Sequence, residues 1–283
     1  MNDIKLNNGI TIPQIGLGVF QVNDSDVCEQ SVLTALKLGY RMIDTAACYG
    51  NEKAIGKAIQ KSGILRQEVF LVSKVWIQDA GYEKTKASFQ KTLENLQTEY
   101  LDLYLIHMPY GDYHGSYRAM EELYEEGKIK AIGVCNFLPE RLMDLILSHS
   151  IIPTVNQVEL HVFYQQKELL SMMEAYNIKA MAWAPFAEGR NEIFKNEVLI
   201  EIGKQYQKTP AQVMLRWLKQ RDIIAIPKSI HVKRIQENFN IQDFVLEEND
   251  MRSIEQLDTE EPLILKIGNL DEVIRLHNIK FVQ

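Results

Sequence analysis

The chain has 283 residues, of which 46% are hydrophobic, so it can bury a substantial core. Its formal net charge of −7 argues against general binding to nucleic acid or to an anionic membrane surface. The three cysteines, Cys28, Cys48 and Cys135, have neither metal-ligand spacing nor the pattern of a disulfide framework, which indicates a reducing compartment.

The first segment, MNDIKLNNGI, lacks the basic-then-apolar pattern of a signal peptide. No apolar run is long enough to span a bilayer, so we expect a cytoplasmic protein with no membrane partner. The first predicted element is a β-hairpin in IKLNNGITIP that turns at Asn8 and Gly9.

Apolar runs rich in β-branched residues then alternate with amphipathic helical patterns. The predicted strands are QIGLGV from Gln14, RMID from Arg41, VFLVSK from Val69, LDLYLIH from Leu101, KIKAIGVCN from Lys128, PTVNQ from Pro153, KAMAWAP from Lys179 and DIIAIPK from Asp222. The interval before the last strand is longer and holds two predicted helices, NEIFKNEVLIEIGKQYQ from Asn191 and then TPAQVMLRWLKQ, which is capped by Thr209 before Pro210.

Eight strands, each followed by a helix, predict an α/β fold of the (β/α)8 TIM-barrel type. The N-terminal hairpin precedes the first barrel strand and is expected to close the barrel floor. No Ser/Gly/Pro-rich linker or low-complexity segment interrupts the pattern. Residues 1–283 are therefore predicted to form a single domain.

Active sites of such barrels lie at the carboxyl ends of the strands. The predicted strands end in a set of polar and aromatic residues: Asp44, Lys74, His107, Asn136, Gln157, Trp183 and Lys228. Each of them has an ordinary structural explanation when taken alone, such as a capping acid or a core histidine. Their convergence at one barrel mouth is what predicts a site.

Several chemistries do not fit this set. A metal hydrolase needs several His and acid ligands, and Lys74 would repel a cation, so we expect no metal. A glycosidase needs two facing carboxylates, and Asp44 is the only one among these strand ends. No G-x-S-x-G nucleophile motif is present, and GNEKAIGKA has the wrong spacing for a phosphate-binding P-loop.

What remains is an acid, a lysine and a histidine, with Tyr49 on the loop after Asp44. A phenol with its usual pKa of about 10 is a poor proton donor near neutrality. We expect the Lys74 ammonium to lower the pKa of Tyr49, and Asp44 to keep that lysine charged. Tyr49 would then protonate a developing alkoxide while His107 binds the carbonyl oxygen. The set contains no electron source, so a reduction would require a bound hydride donor.

The segment IPKSIHVKRIQEN offers a place for a phosphate group. Lys228 and Ser229 end the last strand, and Arg234 opens the following helix, with Glu237 and Asn238 beyond it. Cations beside a helix N-terminus can bind a phosphate monoester, although a solvated helix start would have the same pattern. Trp183 could stack on a planar ring or belong to the core.

Taken together, these segments resemble the aldo-keto reductase superfamily over essentially the whole chain. The matching segments are GLGVFQV, RMIDTAACYGNE, FLVSKVW, YLDLYLIHMP, AIGVCNF, NQVELHVFYQQ, AWAPFAEGR and IPKSIHVKRIQEN. The short loops and the segment AWAPFAEGR look more like the bacterial branch around 2,5-diketo-D-gluconate reductases than like the mammalian aldose reductases. The resemblance implies an NADPH-dependent reductase of aldehydes or ketones that acts on a small-molecule carbonyl substrate, commonly as a monomer.

The resemblance also implies residue roles. A catalytic tetrad, with the tyrosine as general acid, would consist of Asp44, Tyr49, Lys74 and His107. The nicotinamide of NADPH would be bound by Asn136, Gln157 and Trp183. Its 2′-phosphate would be bound by Lys228, Ser229 and Arg234, and its adenine would lie near Glu237 and Asn238. Trp76 matches an aromatic residue that lines the substrate pocket.

Two positions depart from the family pattern. Cys135 stands where a serine commonly precedes the asparagine, which would weaken one hydrogen bond to the carboxamide. Met108 follows His107 where an aromatic is frequent, so the selectivity of other members does not transfer to this pocket. The tail ILKIGNLDEVIRLHNIKF matches the family poorly, although this region often borders the substrate pocket.

Two other functions remain open from the sequence. A lyase could use Lys74 to form a Schiff base, although Asp44 should keep that lysine protonated. A non-catalytic NADPH-binding regulatory protein could have the same fold and retain the cofactor residues.

Overall fold

The structure, a computed structural model, describes residues 3–281. Its strands are β1 (Asp3–Lys5), β2 (Thr11–Pro13), β3 (Leu17–Gly18), β4 (Met42–Asp44), β5 (Phe70–Val75), β6 (Leu103–Ile106), β7 (Ile132–Cys135), β8 (Val155–Glu159), β9 (Lys179–Trp183) and β10 (Ile224–Ala225). Its helices are α1 (Ser25–Leu38), α2 (Glu52–Ser62), α3 (Tyr82–Leu96), α4 (Tyr113–Glu125), α5 (Pro139–Ser148), α6 (Lys167–Ala175), α7 (Glu197–Tyr206), α8 (Pro210–Gln220), α9 (Val232–Phe239), α10 (Glu248–Glu255) and α11 (Leu270–Asn278).

Strands β3 to β10 form one parallel sheet in which each strand lies beside the next in chain order. Parallel bridges between Ile15 and Ala225 and between Gly18 and Lys228 join its first and last strands. Helices connect the strands on the outside, as parallel crossovers require. The predicted (β/α)8 barrel and its eight strands are confirmed.

Gly18 is needed where the barrel closes. A Cβ atom at this position would lie 2.8 Å from the carbonyl oxygen of Ile226. The backbone N–H of Gly18 donates to the carbonyl oxygen of Pro227 at 3.1 Å. The first and last strands can therefore approach closely only because residue 18 has no side chain.

Apolar side chains fill two layers. One buried cluster lies inside the barrel and includes Met42, Leu105 and Met181, and a larger one lies between the strands and the surrounding helices. All residues of β4 to β8 are buried, as expected for parallel strands covered on both faces. Burial on both faces fixes the strand ends, and with them the site, on a rigid frame.

The N-terminal hairpin is present, with β1 antiparallel to β2. Its apolar residues Ile4 and Ile12 pack into the cluster inside the barrel. The side-chain amide of Asn8 donates to the carbonyl oxygen of Lys130, just before β7. The hairpin therefore covers the end of the barrel at which the strands begin, which confirms the predicted floor.

The long interval before β10 contains two helices, as predicted, but the first starts later than its apolar pattern suggested. Residues Ala187–Lys195 form an irregular segment with 3₁₀ turns, and α7 begins only after Asn196, whose side chain accepts a hydrogen bond from the N–H of Leu199. Thr209 caps α8 with a complete capping box, and Pro210 occupies its first turn.

Candidate active site

Asp44 and Lys74 form a buried ion pair at the barrel mouth. Asp44 is the last residue of β4, and its Oδ1 lies 2.6 Å from Nζ of Lys74 on the neighbouring strand β5. The two side chains are 3% and 0% exposed. Nζ also donates to the carbonyl oxygen of Thr45 at 2.7 Å, and Gln157 donates to the other carboxylate oxygen at 2.7 Å. These hydrogen bonds compensate the desolvation of both charges and hold the pair in one geometry.

Tyr49 lies over this ion pair. It ends a 3₁₀ turn, Ala47–Tyr49, after which Gly50 takes a left-handed conformation (φ 69°) and directs the chain into α2. The Lys74 Nζ is 5.1 Å from the centroid of the phenol ring, and the ring packs against Phe20 with centroids 4.9 Å apart. The short loop after β4 therefore places Tyr49 close to Asp44, the residue at which β4 ends.

The pKa of Tyr49 shifts in the direction opposite to our prediction. Burial raises the pKa of the phenol well above its usual value, and the negative charge of Asp44 raises it further. Lys74 lies beside the ring with its charge paired to Asp44, and the pKa of the phenol stays raised. The phenol therefore keeps its proton, which is the form that a general acid needs.

His107 follows β6 and faces Tyr49, with ring centroids 5.6 Å apart. Burial, and then the charge of Lys74, lower the pKa of the imidazole well below its usual value, so the ring is neutral. Its edge contacts Trp76, and its Nδ1 lies 3.5 Å from Sγ of Cys48. Burial raises the pKa of the Cys48 thiol to about 12, so this neighbour is uncharged as well. A neutral imidazole in this position offers one N–H to a substrate oxygen.

Asn136 and Trp183 are joined to the same mouth. Asn136 has a left-handed backbone (φ 63°), and its amide donates to the carbonyl oxygen of His107 at 3.1 Å. Its Oδ1 accepts from Nε1 of half-buried Trp183 at 2.9 Å. Gln157 is tied to Asp44, as described above, and no partner of its Oε1 lies within residues 3–281. Cys135 is packed into the apolar cluster inside the barrel.

A group of cations lies at the start of α9. Lys228 and Arg234 are exposed, and neither forms an ion pair within the described range 3–281. Ser229 is buried and accepts a hydrogen bond from the N–H of His231. Lys233, which the sequence analysis missed, adds a third exposed cation in the first turn of the helix. Unpaired cations at a helix N-terminus suit an anionic ligand.

Glu237 and Asn238 lie further along α9. The Glu237 carboxylate accepts from the hydroxyl of Thr209 at 2.6 Å, which ties α9 to the N-terminus of α8. Asn238 is buried, whereas Glu237 is half-buried. Both residues lie on the same helix as Lys233 and Arg234, about one turn further on.

Trp76 and Met108 belong to a buried apolar cluster beside the mouth. The cluster also contains Leu265 and Leu276, and half-buried Ile267 packs against it. The last three residues come from the tail, which the sequence analysis left without a role. A cavity of about 280 Å³ lies next to them and is bounded by Asn136, Trp183, Glu159, Leu265 and Ile267, among others. The tail therefore forms one wall of the mouth.

Two kinds of feature are absent from residues 3–281. In this part of the chain, no group of three or more His, Cys, Asp or Glu residues is arranged to hold a metal ion. Over the same residues, no helix combines the length and the apolar character needed to cross a membrane.

Comparison with known proteins identifies the family. The model of the Aldo/keto reductase family matches residues 14–259. The glyoxal reductase of Bacillus subtilis (strain 168) is 47% identical over 273 residues, which cover 96% of this chain and 97% of that protein. The chain belongs to the aldo/keto reductase family, as its sequence motifs indicated.

Solved structures agree with this assignment. The aldo-keto reductase MGS-M4, from a Medee basin deep-sea metagenome library, superposes with a TM-score of 0.92 at 44% identity and covers 95% of this chain and 99% of its own. An aldo-keto reductase crystallised in complex with NADPH, AKR2E5, has a TM-score of 0.89 at 30% identity, with 93% and 89% coverage.

Proposed function

We propose that the protein reduces aldehydes or ketones to alcohols with NADPH. The observation that carries this proposal is the neutral pair of half-buried Tyr49 and buried His107 beside the Lys74–Asp44 ion pair. Family membership and the NADPH complex of a related structure support it. When bound, NADPH supplies the hydride that this set of side chains lacks.

In this proposal Tyr49 is the general acid. Its raised pKa keeps the phenol protonated until an alkoxide develops on the substrate, and the phenol then donates its proton to that oxygen. His107 donates a hydrogen bond to the same oxygen and so orients the carbonyl group. Lys74, held by Asp44, stabilises the negative charge that develops on the tyrosine oxygen.

The residues of the chain fit NADPH at both of its ends. Lys228, Ser229 and Arg234 would bind the 2′-phosphate, because two of them are exposed cations without a carboxylate partner in the described residues. Asn136 and Gln157 would hold the carboxamide, and Trp183 would stack on the nicotinamide ring. Glu237 and Asn238 would lie near the adenine. Cys135, an apolar neighbour of Asn136, provides a poorer hydrogen-bonding environment than a serine.

The substrate side is apolar. Trp76 and Met108 would line the pocket together with residues of the tail. Because a relative at 47% identity is a glyoxal reductase, small dicarbonyl compounds are the first substrate class to test. We further propose that residues 1–283 act as one domain and as a monomer, and that the protein is cytoplasmic.

The test is NADPH oxidation, followed by nicotinamide absorbance, with a panel of aldehydes and ketones. We expect turnover that depends on both NADPH and carbonyl substrate. Tight NADPH binding without turnover of any carbonyl would favour a regulatory binding protein. Trapping of a substrate on Lys74 by borohydride would favour a Schiff-base lyase.

A further inference from the structure

Glu159, the last residue of β8, holds the tail through its side chain. The carboxylate is buried, and it accepts hydrogen bonds from three successive backbone N–H groups more than a hundred residues away along the chain. Leu263 donates to Oε1 at 2.7 Å and Leu265 donates to Oε2 at 2.9 Å, while Ile264 lies between them and reaches both oxygens at 3.1 and 3.3 Å. Hydrogen bonds to an ionised acceptor are stronger than those between neutral groups.

His161 completes this anchor. Its Nε2 lies 3.1 Å from Oε1 of Glu159, and its Nδ1 is buried with no partner in the described part of the chain. Because an ionised carboxylate can only accept, Nε2 carries the ring proton. All the contacts of the Glu159 carboxylate therefore come from donors.

The anchored segment is the one that forms the pocket wall. Leu265 packs in the apolar cluster with Trp76 and Met108, and Ile267 lies beside it. Glu159 itself borders the cavity between this segment and Trp183. Within residues 3–281, the other hydrogen bonds that tie the tail to the barrel join neutral groups, such as the one from the N–H of Gly268 to the hydroxyl of Tyr110 and the one from Trp76 to the carbonyl oxygen of Ile279. Glu159 supplies the charged tether, at the point where the tail enters the mouth.

We infer that Glu159 is a positioning residue for substrate selectivity: its carboxylate fixes residues 263–265 and thereby sets the apolar wall against which the side group of a larger carbonyl substrate packs. This inference rests on the proposed function. A substrate whose side group is too small to reach the wall does not depend on the anchor.

The test compares methylglyoxal with phenylglyoxal, which have the same reacting aldehyde and differ in the size of the side group. Glu159→Gln keeps the size of the side chain but replaces one acceptor oxygen by an N–H₂ donor that faces other donors. We expect the KM for phenylglyoxal to rise about tenfold, the scale of a lost apolar pocket contact, while its kcat and both constants for methylglyoxal change little.

Asp258→Asn is the matched control. Asp258 also accepts backbone N–H groups, from Gln165 and Glu260, but it lies upstream of the wall. Amide hydrogen exchange provides the direct readout: the amides of residues 263–265 should exchange faster in Glu159→Gln and at the wild-type rate in Asp258→Asn. A general loss of folding would instead lower kcat for both substrates and accelerate exchange throughout the barrel.

Either of two results would overturn the inference: unchanged exchange at residues 263–265 in Glu159→Gln, or an unchanged ratio of kcat/KM for the two dicarbonyls despite faster exchange. Failure of the wild-type enzyme to reduce any carbonyl is a different outcome. It would refute the proposed function and, with it, the role of the anchor in selectivity.

Discussion

The two ends of the proposed cofactor site use charge in opposite ways. At the barrel mouth, Lys74 and Asp44 are buried and neutralise each other, and the surrounding hydrogen bonds leave them no freedom to move. At the start of α9, Lys228 and Arg234 are exposed and have no carboxylate partner among the described residues. The mouth is organised without a ligand, as the proposed catalysis requires, whereas we propose that the cationic end acquires its counter-charge from the phosphate of NADPH.

The largest effect should come from removing the proton donor at the organised end. Tyr49→Phe is expected to lower kcat by about 10²- to 10⁴-fold, the usual contribution of a positioned general acid, with little change in the Kd for NADPH. Steady-state kinetics and fluorescence titration of NADPH measure the two quantities. Turnover at the wild-type rate would remove Tyr49 from the mechanism.

Breaking the buried pair should affect stability as well as activity. Lys74→Met leaves the Asp44 carboxylate buried without its cation, which should lower the free energy of unfolding by about 3–5 kcal/mol. Urea denaturation measures it. Lys204→Met is the control, because it removes an exposed pair with Glu201 and should cost less than about 1 kcal/mol. An equal loss of unfolding free energy in the two variants would contradict the expectation that a buried ion pair contributes more to stability than an exposed one.

A substitution at the cationic end, at the start of α9, should affect only the binding of NADPH. Arg234→Ala is expected to raise the Kd for NADPH by about 10- to 100-fold, the scale of a lost charge-assisted hydrogen bond, and to change the Kd for NADH little. Arg252→Ala, in which an exposed arginine paired with Glu248 is removed, is the control. An equal loss of affinity for both nucleotides would exclude contact with the 2′-phosphate.

The smallest effect concerns pH. In the proposed mechanism reduction needs protonated Tyr49, so the rate should fall only when pH rises through the raised pKa of the phenol, above its usual value of about 10. His107 should stay neutral when pH is lowered through about 6.5, because burial and Lys74 depress its pKa. The profile of kcat/KM should therefore lack an inflection near 6.5. An inflection there that disappears in His107→Asn would show an exposed, titrating imidazole.

The barrel could be predicted from the sequence because its strands, helices and turns are indicated by patterns of neighbouring residues. Alternating strand and helix patterns, the Asn8–Gly9 turn and the Thr209 cap depend on neighbouring residues, and the structure confirms each of them. The rule that barrel strands end at one mouth then indicated Asp44, Lys74 and His107 together. The late start of α7 was missed, because Asn191 and Glu192, at the start of the predicted helix, adopt non-helical backbone angles despite the helical apolar pattern.

Tertiary structure alone decided how these residues are coupled. The pKa of Tyr49 rises because of burial and of the negative charge of Asp44, and the extent of burial depends on packing that no local pattern encodes. The contact between Cys48 and His107 joins residues that are 59 positions apart in the sequence. The hydrogen bonds between Glu159 and residues 263–265 join positions that are more than a hundred residues apart. The sequence by itself determined which side chains lie at the barrel mouth, because local residue patterns determine the order of the strands and the residues at which they end. The charge state of each of these side chains, and whether hydrogen bonds hold it in place, depend on burial and on contacts that exist only in the folded chain.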